Sequence, residues 1–175
     1  MTEDNARPIP ESYWVIPGRL LAGEYPGSFD PQMTRERIES FLQAGFDTYI
    51  NLTQPFELEP YDEILDEQAA RLGAAPNSMR FPIFDRGLPS HKEMTAILDA
   101  IDEALAAGRK VYVHCWGGVG RTGTTVGCYL RRHGRSGKEA IDQLAEWWQQ
   151  VPKHTVYSRS PETDAQVRFI LNWKE

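Results

Sequence analysis

The chain has 175 residues, 41% of them hydrophobic, enough to bury one full core and too few for a second domain. Its 25 acidic against 19 basic residues leave a formal charge of −6, which argues against nucleic acid or an anionic membrane as a bulk partner, because both demand a positive footprint. No apolar run approaches the roughly 20 residues of a membrane span.

Residues 1–12 are polar and contain prolines, and read as a loose lead-in to one folded unit over 13–175. Tyr13 to Gly23 predicts two short strands around a Pro17-Gly18 turn. Asp30 before Pro31 is a helix start, with proline at the first helical position and Ile38, Phe41 and Leu42 supplying an apolar face up to Ala44-Gly45. Phe46 to Leu52 reads as a core strand. From Glu57 to Leu72, the residues Leu58, Tyr61, Ile64, Leu65, Ala69 and Leu72 fall at helical spacing, most clearly in the second half. Ser78 to Phe84 predicts a strand delivering Asp85 to a loop that Gly87 and Pro89 turn sharply away. Ser90-His-Lys-Glu93 is a capping box, followed by a stripe of Met94, Ile97, Leu98, Ile101 and Leu105 on a helix ending near Gly108.

Arg109 to His114 predicts a short buried strand, and Thr124 to Arg132 a helix closed by His133-Gly134. A second box, Ser136-Gly-Lys-Glu139, opens a helix through Trp147-Trp148. Ser160 and Pro161 are expected to start the last helix, with Val167, Ile170 and Leu171 facing inward. Strands alternating with helices imply an α/β fold with a central, mostly parallel sheet flanked by helices.

Between the strand ending at His114 and the helix lie Cys115, Trp116, Gly117, Gly118, Val119, Gly120, Arg121 and Thr122. A glycine-rich turn feeding a helix points successive N–H groups into one concavity, to which the helix adds partial positive charge, so a phosphate dianion fits there. A thiol in such a place ionises far more readily than a free one, at roughly 3.5–7.5 against about 8.5, so Cys115 is expected as a thiolate. Arg121 offers a planar fork for two phosphoryl oxygens, and Thr122 a hydroxyl to steady the sulfur anion. Trp116 occupies a variable position within the loop. Cys128, two turns into the helix, reads as a small core residue.

The run HCWGGVGRTG resembles the signature loop of the cysteine-dependent protein phosphatases, of the small dual-specificity and tyrosine phosphatase type. Phe81-Pro-Ile-Phe-Asp85-Arg-Gly-Leu-Pro-Ser90 is similar to that family's acid loop. The resemblance runs from about Trp14 to Trp173 and implies a protein tyrosine phosphatase-like fold forming one catalytic domain over 13–175. It implies Cys115 as nucleophile, the loop amides of Trp116 to Arg121 and the Arg121 side chain as phosphate ligands, and Asp85 as general acid and then base. The expected activity is hydrolysis of phosphotyrosine, with phosphoserine and phosphothreonine as an open extension, through a cysteinyl-phosphate. Phosphatases of inositol phosphates or phosphoinositides, and a non-catalytic phosphate-binding module, stay as alternatives. The first is disfavoured by a loop without lysine, the second by Cys115, Arg121 and Asp85 standing together.

No cofactor or metal is implied. His91, His133 and His154 are scattered without paired ligand spacing and read as surface or capping residues. Two cysteines and the absence of a leader with a basic start and apolar core place the expected compartment in the cytoplasm. Arg86, Arg121 and Arg159 are expected to make the mouth of the site positive. In larger relatives a glutamine near the last helix orders the hydrolytic water. Here Gln166 reads instead as a solvated helix residue, and neither it nor Glu162 is assigned to the site. The expected partner is a phosphorylated protein or peptide; the oligomeric state is open.

Overall fold

A computed structural model describes residues 6–175. Five strands, β1 (Ser12–Ile16), β2 (Leu20–Gly23), β3 (Thr48–Asn51), β4 (Asn77–Arg80) and β5 (Val111–His114), form one sheet in the order β1-β2-β5-β3-β4. Only β1 and β2 pair antiparallel, through the turn at Pro17-Gly18; β2, β5, β3 and β4 run parallel. In the three central strands Gly23, His114 and Asn51 are in register at the carboxyl edge. Loops leaving that edge gather on one side of the molecule, where ligands of open α/β sheets bind.

Six helices cover the sheet: α1 (Pro31–Gln43), α2 (Asp62–Leu72), α3 (His91–Ala106), α4 (Gly120–Arg132), α5 (Gly137–Trp148) and α6 (Asp164–Asn172). The larger core cluster includes Ile97, Leu98, Val113, Val126, Leu144, Trp148 and Ile170, contributed by α3, β5, α4, α5 and α6. The other is an aromatic layer under α1 and α2, with Phe41, Phe46, Tyr49, Tyr61 and Tyr112. Both serine capping boxes are formed, Ser90 with Glu93 and Ser136 with Glu139. Among the described residues no helix is long and apolar enough to cross a membrane.

The structure corrects several boundaries. The lead-in is packed over its last residues: Ile9 is buried and the Ser12 hydroxyl donates to its carbonyl at 2.7 Å; residues 1–5 lie outside the described residues. Residues 57–61 are not helical. Pro60 disfavours helical backbone at the residue before it, and Glu57 is engaged elsewhere, so α2 begins at Asp62. Helix α4 starts at Gly120, four residues earlier than expected, and carries Arg121 and Thr122 in its first turn. Helix α6 starts later, capped by Thr163 in a third box with Gln166, and Leu171 is exposed rather than inward. A short 3-10 helix, Pro152–Thr155, intervenes between α5 and α6.

Candidate active site

His114 ends β5 with its side chain fully buried, between the aromatic rings of Tyr25, Tyr61 and Tyr112. Its Nδ1 lies 3.2 Å from the Cys115 carbonyl, which can only accept, so the proton sits on Nδ1. Burial pushes the imidazole down to about 3, keeping the ring neutral. Nε2 is therefore an acceptor, and the Tyr61 hydroxyl donates to it at 2.8 Å. This chain of bonds fixes the Cys115 carbonyl from behind the loop.

A consequence is testable. In the unfolded chain the imidazole takes up its proton near pH 6.5, but in the fold it does not until about 3, so the unfolded state binds more protons across that window. Stability is expected to fall as pH drops below about 6.5, with this one group contributing a slope of about 1.4 kcal/mol per pH unit. Denaturant midpoints measured from pH 7 to 4 should lose that contribution in His114→Gln; identical slopes in both proteins would contradict it.

Cys115 follows, 3% exposed, at the floor of a hollow of about 390 Å³ whose wall includes Asp85, Trp116, Arg121, Lys153 and Tyr157. The backbone N–H groups of Trp116 through Arg121 donate to no other described residue, and Trp116, Gly117, Val119, Gly120 and Arg121 line the hollow. Gly118 holds φ +73 with its α-carbon face against the backbone of Gly23 and Glu24; a Cβ there would lie 2.5 Å from the Gly23 carbonyl carbon. The turn thus requires glycine at this position.

Arg121 is held more fully than its sequence position suggests. Its side chain is 1% exposed, and Glu57 takes it bidentately, Nη1 to Oε2 at 2.9 Å and Nη2 to Oε1 at 2.7 Å. Nη1 also donates to the Ile83 carbonyl at 3.0 Å, and Nη2 to Asp85 Oδ1 at 3.2 Å. A guanidinium has five N–H donors, so the four on its terminal nitrogens are committed and Nε–H remains. The expected fork for two phosphoryl oxygens is thus filled by Glu57. The Nη2–H that faces Asp85 is open to another acceptor only where Asp85 is displaced. Partial burial works against the Glu57 carboxylate, but hydrogen bonds from Arg121 and the Gln54 amide outweigh it and hold its pKa below the usual carboxylate range.

Asp85 is more than half exposed, within reach of the hollow, and its ion pair is to Arg121. The Thr122 hydroxyl is not on the sulfur: it makes a long 3.5 Å contact with the Gly23 carbonyl. Trp116, 53% exposed, stands between this hollow and a smaller one lined by Tyr25, Phe29 and Leu58.

The expected positive mouth is also corrected. Arg86 pairs with Glu162, Lys153 with Glu24, and Arg159 with Asp164. Among the described residues, no group of three or more His, Cys, Asp or Glu converges to hold a metal ion.

Over residues 10–170 the chain matches the model of PTP-SAK, the Swiss Army Knife protein DSP-PTPase phosphatase domain. The chain belongs to this phosphatase family. It is 34% identical over 131 residues to the dual specificity protein phosphatase CDC14B of Mus musculus, covering 70% of this chain but only 24% of that protein. Two solved structures share the fold: Tk-PTP in its active form, with a TM-score of 0.68 at 24% identity over 92% of this chain and 94% of that one, and PTPMT1 in complex with PI(5)P, with a TM-score of 0.63 at 20% identity over 87% and 88%.

In this member of the family, the structure adds to the site three residues that sequence reasoning did not assign: Glu57, Glu162 and Gln166. Gln166 is fully buried, not solvated, because both ends of its amide are bonded inside the fold. Its signal was available as the capping-box pattern Thr163-Asp-Ala-Gln166. Glu57 carries no comparable local signal.

Proposed function

We propose that this phosphatase hydrolyses phosphomonoesters on proteins, phosphotyrosine first and phosphoserine or phosphothreonine by extension, through a cysteinyl-phosphate. The observation that carries the reading is the shared hollow: Cys115 at its floor, unspent loop amides at its edge, and Arg121 and Asp85 on its wall.

The Cys115 thiolate attacks phosphorus in line while the ester P–O bond breaks, and Asp85 gives its proton to the departing oxygen. Amides and Arg121 Nε–H meet the phosphoryl oxygens as charge develops on them. Thr122, held only loosely by Gly23, turns its hydroxyl to the sulfur as that becomes the leaving group. In the second step water attacks phosphorus, the S–P bond breaks, and the Asp85 carboxylate takes the water's proton.

The substrate class rests on the charge ledger. Each cation on the wall of the hollow, Arg86, Arg121 and Lys153, already faces a carboxylate. A ligand bearing several phosphates finds no unpaired cation for its second, whereas a single phosphate on a neutral or aromatic carrier needs only the loop amides and Arg121. Trp116 and Tyr157 supply aromatic surface beside it.

Rates on a phosphotyrosyl peptide, a phosphothreonyl peptide, inositol hexakisphosphate and phosphatidylinositol 5-phosphate vesicles test this directly. The phosphotyrosyl peptide is expected to exceed the inositol compounds in kcat/KM by at least about tenfold, the factor that 1.4 kcal/mol of preference confers. The reverse order would transfer the enzyme to non-protein substrates. Phosphate binding with no turnover on any of the four would make it a binding module.

A further inference from the structure

We infer that Glu162 and Gln166 are positioning residues for Asp85, clasping the acid loop against the end of the phosphate loop; this rests on the reading of Asp85 as the proton donor. Asp85 needs such a clasp. Its side chain is 59% exposed, and its ion pair is the single 3.2 Å contact to Arg121, which a phosphoryl oxygen displaces where it takes the second Nη2–H. Once that contact goes, only the backbone of the acid loop decides where the carboxyl points.

That backbone is not relaxed. Arg86, immediately after Asp85, holds φ +58, a left-handed conformation that a side chain with a Cβ disfavours. Two contacts from one segment hold it there. Arg86 Nη1 meets Glu162 Oε1 at 2.6 Å, and Gln166 Nε2 donates to the Gly87 carbonyl at 3.2 Å. The segment is itself fixed to the phosphate loop: the Ser160 hydroxyl donates to the Val119 carbonyl at 2.7 Å. Gly120 completes the approach, since a Cβ on it would fall 2.9 Å from Gln166 Nε2 and 3.3 Å from Glu162 Oε2. The acid loop, the two side chains and the phosphate loop are therefore one connected unit.

The same bonds define what Gln166 does not do. Its Oε1 accepts from the N–H of Glu162 at 3.1 Å and from that of Thr163 at 3.0 Å. An amide oxygen has two lone pairs, so both are taken and none is left to receive a proton from an attacking water. The oxygen and nitrogen ends are assigned by the network, because two N–H donors require the oxygen on one side and a carbonyl requires the NH₂ on the other.

Gln166→Glu tests the clasp while leaving an oxygen for the two cap amides, since it sets a carboxylate oxygen against the Gly87 carbonyl. Glu162→Gln tests it independently by weakening the bond to Arg86. Both are expected to slow phenyl phosphate, a poor leaving group, by about tenfold, part of the 10²–10⁴-fold range of a general acid, and a nitrophenyl phosphate by less than about twofold. The charge-swapped pair Arg86→Glu with Glu162→Arg should recover most of the loss seen in Glu162→Gln.

Equal slowing of both esters would reduce these residues to a structural role. A burst of phenol followed by slow phosphate release would place Gln166 with the hydrolytic water instead. Hydrogen exchange at the Gly87 amide, which donates to the Phe84 carbonyl at 2.8 Å, reads the clasp without turnover and should speed up in both variants. Unchanged exchange overturns the clasp. Failure of Asp85→Ala to discriminate between the two esters overturns the acid assignment and leaves the exchange result standing.

Discussion

Cys115→Ser is expected to lower turnover by on the order of 10⁴-fold or more while inorganic phosphate still binds. The two halves of that expectation come from different atoms. In the proposed reaction, binding belongs to the amides of Trp116 to Arg121 and to Arg121 Nε–H, none of which the substitution touches. Turnover belongs to the sulfur, because a serine hydroxyl stays protonated at neutral pH and no described side chain lies on it as a base: the candidate Asp85 is bonded to Arg121, and His114 presents its Nδ1–H to a carbonyl and its Nε2 to Tyr61. The measurement is steady-state hydrolysis beside a phosphate titration on the same preparation. Turnover near wild type would remove the nucleophile from this account, and loss of phosphate binding would show that the loop depends on the thiol.

Glu57→Ala is expected to cost about 3 kcal/mol of stability and to raise KM for phosphomonoesters. The guanidinium of Arg121 is 1% exposed, and removing one partner of a buried ion pair leaves a charge without its counterion. The Ile83 carbonyl and Asp85 keep part of the compensation, which places the loss at the low end of the range for buried pairs. In the proposed reaction Arg121 Nε–H is a preset donor to the phosphoryl group, and a guanidinium freed from Glu57 no longer holds that donor fixed.

The pH dependence carries a sign. The Glu57 pKa in the fold lies below that of the unfolded chain, so its stabilisation is complete above the ordinary carboxylate range and is lost as pH falls through the folded value. The variant should therefore show a shallower acid limb below about pH 4.5, where the Glu57 loss adds to the slope that His114 contributes from about pH 6.5 down to about 3. Chemical denaturation with wild type alongside checks both statements. A variant as stable as wild type would mean that water replaces Glu57 at no cost.

What the sequence made legible was local. The boxes Ser90–Glu93 and Ser136–Glu139, the proline-led start of α1 and the strand-turn-helix around Cys115 depend on residues within a few positions of each other, and each formed. The misreadings involve partners far apart in the chain. Glu57 left the expected helix because it holds an arginine 64 residues away, and nothing among 25 acidic residues marks it beforehand. Gln166 is a mixed case: its capping-box bonds to Glu162 and Thr163 are local, whereas its bond to Gly87 spans 79 positions. The positive mouth failed for the same reason: Arg86 meets Glu162 76 residues on, so a count of arginines near the loop could not give the charge of the hollow. The candidate nucleophile and its loop are local, whereas the residues proposed to orient them are not.

The covalent intermediate is the claim on which the rest depends. Acid quenching during turnover of a radiolabelled phosphomonoester, followed by peptide mapping, should find phosphate on the peptide containing Cys115, with the thiophosphate absent in Cys115→Ser. Hydrolysis that proceeds at full rate with no label on that peptide, or with label on another residue, would contradict the account.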